Sequence, residues 1–231
     1  ATRASLAWTP SWGGALRGTG TLALQTSATM TVICYGSLDI YWTSRNLLNA
    51  GSVVWNCPAS VVHSQGAAIV NDAGATFAVQ QPGSFQRQNA QDVGSFVNLG
   101  SLSFTHGLAQ QFSVFTVDMA FNQSGTLELS QLSVLELSAS ATFSQVTNID
   151  DSSQLLTSCG DSSATQQFLS TSVTQGSGAL HVQGLGYSEG ASCVTVQGGA
   201  QFRLQSMYLL GGVWIPVNAR VTLDADLKIG R

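Results

Sequence analysis

Asp150 and Asp151 form the chain's one adjacent pair of carboxylates, and paired carboxylates are what general acid and base cleavage of a glycosidic bond requires. They stand in a loop-like run, Asp150-Asp151-Ser152-Ser153, and as sequence neighbours they do not face a common point on a strand. A solvated turn is the simpler reading. The remaining candidate acids, Asp39, Asp72, Asp92, Asp118, Glu128 and Glu136, are scattered, and His63, His106 and His181 lack metal-ligand spacing. No P-loop or dinucleotide fingerprint is present. The sequence therefore predicts no enzyme, no metal and no cofactor. Trp42, Trp55 and Trp214 could stack on sugars from outside, although a tryptophan in a repeat protein more often fills the core. The chemistry that the sequence does offer is covalent: Cys34, Cys57, Cys159 and Cys193, and the N-glycosylation sequon Asn122-Gln123-Ser124.

Those residues must be positioned by a repeat. Asn49-Ala50-Gly51-Ser52-Val53-Val54 returns as Asp72-Ala73-Gly74-Ala75-Thr76-Phe77 and as Asp92-Val93-Gly94-Ser95-Phe96-Val97. A 23-residue step also carries Cys34 onto Cys57, Leu47 onto Val70 and Val54 onto Phe77. A period of this size marks stacked repeats. Within one period, runs opened by a small residue start seven or eight residues apart: Gly51-Ser52-Val53-Val54-Trp55, Ala59-Ser60-Val61-Val62-His63, and Gly66-Ala67-Ala68-Ile69-Val70. Each is a short strand signal. No Asn-Gly or Asp-Gly pair joins them as two-residue hairpins. Three strands per repeat predict a coil with three corners, each strand pairing with its equivalent one rung away. The phrase built on Asn49, Gly51, Asp72, Gly74, Asp92 and Gly94 then supplies a corner, since Asn, Asp and Gly tolerate left-handed backbone. Stacked Asn side chains can also bond from rung to rung.

The cysteines test that geometry. Rungs lie roughly 4.8 Å apart, and a disulfide wants its Cα atoms about 4.4–6.8 Å apart. Cys34 and Cys57, one repeat apart, therefore pair. Cys159 and Cys193 are left to each other, one rung and an inserted loop apart.

With 231 residues, only 9% of them charged, and a net charge of −4, the chain offers no basic surface for nucleic acid. No apolar run of about 18 residues is present, so no membrane insertion by a helix is expected. An even cysteine count and a sequon point to an extracellular or cell-surface protein. Residues 1–19 do not match the repeat and read as an N-terminal cap or linker, with the solenoid over 20–231. Residues 80–91 read as a polar bulge. Residues 147–177 read as a loop insertion with a short helix at Ala164–Leu169. Val221–Ile229 still reads as a rung with no cap after it. Thr29-Met30-Thr31 and Thr19-Gly20-Thr21 resemble the threonine ladders of solenoid ice-binding proteins but do not recur on later rungs.

In repeat form, most of 20–143 and 178–229 resembles the single-stranded parallel β-helix proteins, a group of pectin-lyase-like enzymes, bacterial adhesins and protist surface-filament proteins. Its hydrolases cut acidic polysaccharides with an Asn-x-Asp, a paired Asp, a Gly-His-Gly and an Arg-x-Lys. Here Asn148-Ile149-Asp150-Asp151 matches the first two in overlapping residues, His106 follows Thr105, and no Arg-x-Lys occurs. The expectation is an all-β, right-handed parallel β-helix (β-solenoid) of about ten coils. At roughly 4.8 Å per coil it is on the order of 50 Å long, with the hand taken from the usual crossover preference. The expected function is structural: a glycosylated subunit of a surface filament, fibril or adhesin that meets its own copies end-on. The alternative is a carbohydrate-binding or polysaccharide-degrading β-helix protein, using a groove beside 147–177.

Overall fold

The computed structural model describes residues 5–9, 15–16, 19–34, 39–89, 91–92, 94–105, 113–150, 152–158, 164–183, 194–197, 200–210, 213–214 and 226–230. All regular structure among them is β, and every strand pairing is parallel. The chain is a β-solenoid. One coil runs Arg45–Asn49, Ser52–Asn56, Ser60–Ser64 and then Ala68–Asn71, which lies over Arg45–Asn49.

Three faces result. The first stacks Ser5–Trp8, Thr29–Ile33, Ser52–Asn56, Thr76–Val79, Ser101–Thr105, Thr126–Ser130 and Val146–Ile149. The second stacks Ile40–Thr43, Ser60–Ser64, Gly83–Arg87, Ser113–Val117, Ser133–Leu137 and Gln154–Ser158. Beyond these, the long strands Val173–Gln183 and Gln201–Leu210 run across both faces. The third face holds nine strands, from Gly20–Leu24 to Val213–Trp214, so the described coils number fewer than the ten expected.

Alternation along each strand makes the core. Val53 and Trp55 point inward, then Phe77 and Val79 one rung on, then Leu102 and Phe104, then Leu127 and Leu129. Ring contacts run up the interior from Trp55 through Phe77, Phe96, Phe121, Phe143 and Phe168 to Phe202. Such pairs add about 0.5–1.5 kcal/mol each beyond the area they bury.

The corner between third and first faces is closed by close backbone approach. Gly51, Gly100 and Gly125 sit there, and a Cβ on Gly125 would stand 2.0 Å from the Gly100 carbonyl oxygen. At the same corner Asp72-Ala73-Gly74-Ala75 makes a longer turn, closed by Ala75 N–H donating to Asp72 O at 3.0 Å. Gly74 there has φ of 80°, the left-handed conformation that a side chain would oppose.

Three expectations are corrected. Residues 80–91 contain a rung: Gly83–Arg87 pairs on both sides and buries Phe85. Residues 147–177 are not an insertion, because Val146–Ile149, Gln154–Ser158 and Gln166–Phe168 continue the three faces. The segment expected as a helix at Ala164–Leu169 is the strand Gln166–Phe168, with Phe168 inward. Thr147, Thr157 and Gln166 also point inward, and these polar core positions break the alternation that marks a strand in the sequence. Within 1–19, Ser5–Trp8 pairs with Thr29–Val32 and Ala15–Leu16 with Tyr41–Trp42, in coil register.

Candidate functional site

Cys34 and Cys57 are bonded, with Cα atoms 4.6 Å apart, one rung over the next. Cys159 and Cys193 lie outside the described residues. A buried amide ladder runs beside the aromatic stack. Asn49 Nδ2 donates to Asn71 Oδ1 (2.7 Å), Asn71 Nδ2 to Asn98 Oδ1 (2.7 Å), and Asn98 Nδ2 to Gln123 Oε1 (2.9 Å). The second proton of each Asn reaches the next rung's backbone, at Thr76 O, Ser101 O and Thr126 O.

Of the six corner residues, Asn49 belongs to this ladder, but its partner is Asn71 and not Asp72. Asp72 Oδ1 accepts the Ala73 N–H in the adjoining turn. Gly51 sits at the third-to-first corner, its carbonyl accepting Thr76 N–H at 2.9 Å. Asp92 and Gly94 occupy the second-to-third corner instead: Gly94 accepts from Ala120 N–H, and Asp92 Oδ1 accepts from Gln65 N–H at 3.0 Å. The ladder residues Asn71, Asn98 and Gln123 were hidden in the sequence because corner lengths differ, from Ala50-Gly51 to Asp72-Ala73-Gly74-Ala75.

Among the described residues, a titratable cluster gathers at that second-to-third corner. His63 is 2% exposed, and its Nε2 lies 3.3 Å from Asp118 O. Arg87 holds Asp118 with two bonds, Nη2 to Oδ1 at 2.9 Å and Nε to Oδ2 at 3.1 Å. His63 Nδ1 and Asp92 Oδ2 are buried with no hydrogen-bond partner among the described residues. A cavity of about 10 Å³ adjoins the ring, lined by Trp42, Ala67, Phe85 and Met119 among others. The ring is thus sealed from any polymer outside. Burial is the main cause that lowers the His63 pKa from 6.5; the Asp118 carbonyl, Asp118 and Asp92 oppose it, and Arg87 adds to it.

This has a measurable consequence. The unfolded chain takes up a proton near 6.5 while folded His63 resists it, so the unfolded state binds more protons and stability falls with pH. The loss begins as pH drops below 6.5 and saturates below the depressed folded value. Burial lowers His181 in the same direction. Urea midpoints are expected to decline between pH 7.5 and 5, and His63→Gln is expected to flatten much of that decline. An unchanged slope in the variant would remove His63 as its source.

Asp150 is an exposed turn residue whose Oδ1 accepts from Ser153 Oγ (2.6 Å) and whose Oδ2 accepts from Gln131 N–H (3.1 Å). Asn148 faces outward and accepts from Gln175 Nε2 at 2.9 Å. Glu136 accepts from the Thr116 hydroxyl at 3.1 Å. Asp151 and His106 lie outside the described residues, as does Gly186-Tyr187-Ser188-Glu189-Gly190, a Gly-x-Ser-x-Gly run that corrects the expectation of none in this chain. Trp42 and Trp55 fill the core.

On the outside, Asn122 is exposed on Ala120–Gln123, between inward Phe121 and Gln123, and accepts the Ser124 hydroxyl at 2.8 Å. The Thr-x-Thr pattern does not recur, since Thr31 is in register with Val54, Ala78 and Ser103, but one hydroxyl column does: Thr29, Ser52, Thr76, Ser101 and Thr126 are in register, and Thr76 Oγ1 donates to Ser52 Oγ at 2.9 Å. Beside this column runs a shallow groove of about 360 Å³, along Gly74–Thr76, Leu99–Ser101 and Ser124–Thr126.

Fold and bonded cysteines together define a disulfide-linked parallel β-solenoid. Comparison of the chain with protein-family models, with curated proteins and with solved structures finds no match.

Proposed function

We propose that this chain is an extracellular structural protein, a glycosylated subunit of a surface filament, fibril or adhesin whose coils stack end-on with those of further copies. The observation that carries the reading is the parallel register that runs from coil to coil, continuous from Thr29–Ile33 to Thr126–Ser130. In such a rod every backbone edge lies along one axis, and an open ladder is a template for another of the same kind. The disulfide fits an oxidising compartment. Asn122 is the glycan acceptor, with its amide exposed and the sequon hydroxyl already bonded to it. Electron microscopy of the purified protein is expected to show fibrils or end-to-end rods. Monodisperse single particles across a concentration series would overturn the assembly.

A second reading, carbohydrate binding, draws on one observation: the open groove beside the hydroxyl column. The coil continues through 147–177, so a groove there no longer supports that reading. Titration calorimetry with neutral and uronic-acid oligosaccharides tests it, and heat that disappears in Thr76→Val would place the sugar at this column.

A further inference from the structure

The middle outward column of the third face is divided in two. In register it reads Ala23, Leu48, Val70, Val97, Asn122, Thr142, Gln167, Thr195. Asn122 stands at the boundary, with an aliphatic run on one side and a hydroxyl and amide run on the other. Leu48 is 38% exposed, and Val70 and Val97 are half-buried. At the neighbouring corner Leu99, 40% exposed, lies one rung below Ser124: Leu99 N–H donates to Asn71 O and Ser124 N–H to Asn98 O. Both polar residues of the sequon therefore rest directly on aliphatic ones, Asn122 on Val97 and Ser124 on Leu99.

We propose that the glycan on Asn122 lies back along this column, over Val97, Val70 and Leu48, and shields them from water. The inference rests on Asn122 being glycosylated, as proposed above. A pyranose ring is roughly as long as one rung is tall, so successive sugars meet successive rungs, which lie about 4.8 Å apart. Each ring carries a C–H-rich face that suits aliphatic side chains, and its hydroxyls keep the other side wet. On one flank Asn46, Ala68 and Ser95 are small or polar and leave room for the covering sugar; on the other, Asp72 and Leu99 stand at the corner, where the Asp72 carboxylate can accept from a sugar hydroxyl. On the opposite side, Thr142, Gln167 and Thr195 offer no apolar floor.

The test uses the whole chain secreted from a glycosylating host. Peptide mass spectrometry first reads occupancy of Asn122; a bare Asn122 overturns the modification itself, and this inference with it. On occupied protein, trimming with an endoglycosidase is expected to raise binding of an apolar fluorescent dye severalfold. The rise is expected to vanish in Leu48→Gln/Val97→Thr, a pair that adds no second sequon beside Asn46. An occupied Asn122 with no rise on trimming, or with the same rise in the double variant, overturns the shielding and leaves glycosylation standing. Nuclear Overhauser contacts between the first sugars and the Val97 methyls are expected in the intact glycoprotein, and their absence overturns the proposal without any variant. A glycosylated dimer that Leu48→Gln/Val97→Thr dissociates also overturns it, by assigning the column to a second copy.

Discussion

Replacing Asn71 by Asp is expected to cost about 3–5 kcal/mol, the range for leaving a charge buried without compensation. Asn71 is fully buried, and its amide group is used from both ends. Its Oδ1 accepts from Asn49, and its Nδ2 donates to Asn98 Oδ1 and to Ser101 O. The aspartate keeps the acceptor but sets a second oxygen against two others, with nothing nearby to take the charge. Against a typical total of about 5–15 kcal/mol, that is a third or more of the stability of a domain. Leucine at the same place removes the charge problem and strands one donor, on Asn49, and two acceptors, Asn98 Oδ1 and Ser101 O, at a cost of about 1–3 kcal/mol. The order Asn, Leu, Asp in urea midpoints at neutral pH is the expected outcome. Acidity supplies a second signature. Burial raises the carboxyl pKa of the variant, so its penalty disappears as pH falls below the unfolded aspartate value of about 3.9. The wild-type chain, in which burial lowers both His63 and His181, is expected to lose stability on acidification instead. An Asn71→Asp protein as stable as wild type at neutral pH would mean the ladder does not hold the coils together.

The same ladder shows which parts of the architecture were legible. The bonded cysteines lie 23 residues apart, the same step that carries Val54 onto Phe77. One covalent pair was enough to fix the parallel stacking. Asn49 lies 22 residues from Asn71, and Asn71 lies 27 from Asn98. Extra residues in the Asp72–Ala75 turn and in the segment before Ser95 absorb the difference. Steps of 23 and then 20 residues therefore slide Asn49 onto Asp72 and then onto Asp92, which belongs to another corner altogether. Core polarity blurred the signal further on, since Thr147, Thr157 and Gln166 point inward among Ile149, Leu155 and Phe168. Gly83–Arg87 offered Phe85 as its only large apolar residue, and pairing on both sides, not local pattern, makes it a strand. The bond between Arg87 and Asp118 spans 31 residues across an irregular corner, so no periodicity could announce it.

Loss of the Cys34–Cys57 bridge is expected to cost about 3 kcal/mol, the chain-entropy value for closing a loop of some 23 residues. For a domain of this size that corresponds to about 6–12 °C in Tm. The paired substitution Cys34→Ala/Cys57→Ala is the better probe than a reductant, because a reductant also acts on any other bridge in the chain. Alanine avoids placing a hydroxyl at position 57, which is fully buried against the core. The distribution of the loss says more than its size. In a stacked solenoid each coil touches only its neighbours, so stability is close to a sum of coil and interface contributions. Amide exchange is therefore expected to quicken in Thr29–Ile33 and Ser52–Asn56, the two rungs that the bridge joins. Protection in Thr126–Ser130 and Val146–Ile149, several coils away, is expected to stay as in the parent. Uniform acceleration along the whole chain would show instead that the coils unfold as one unit, and the nearest-neighbour account of this rod would be wrong.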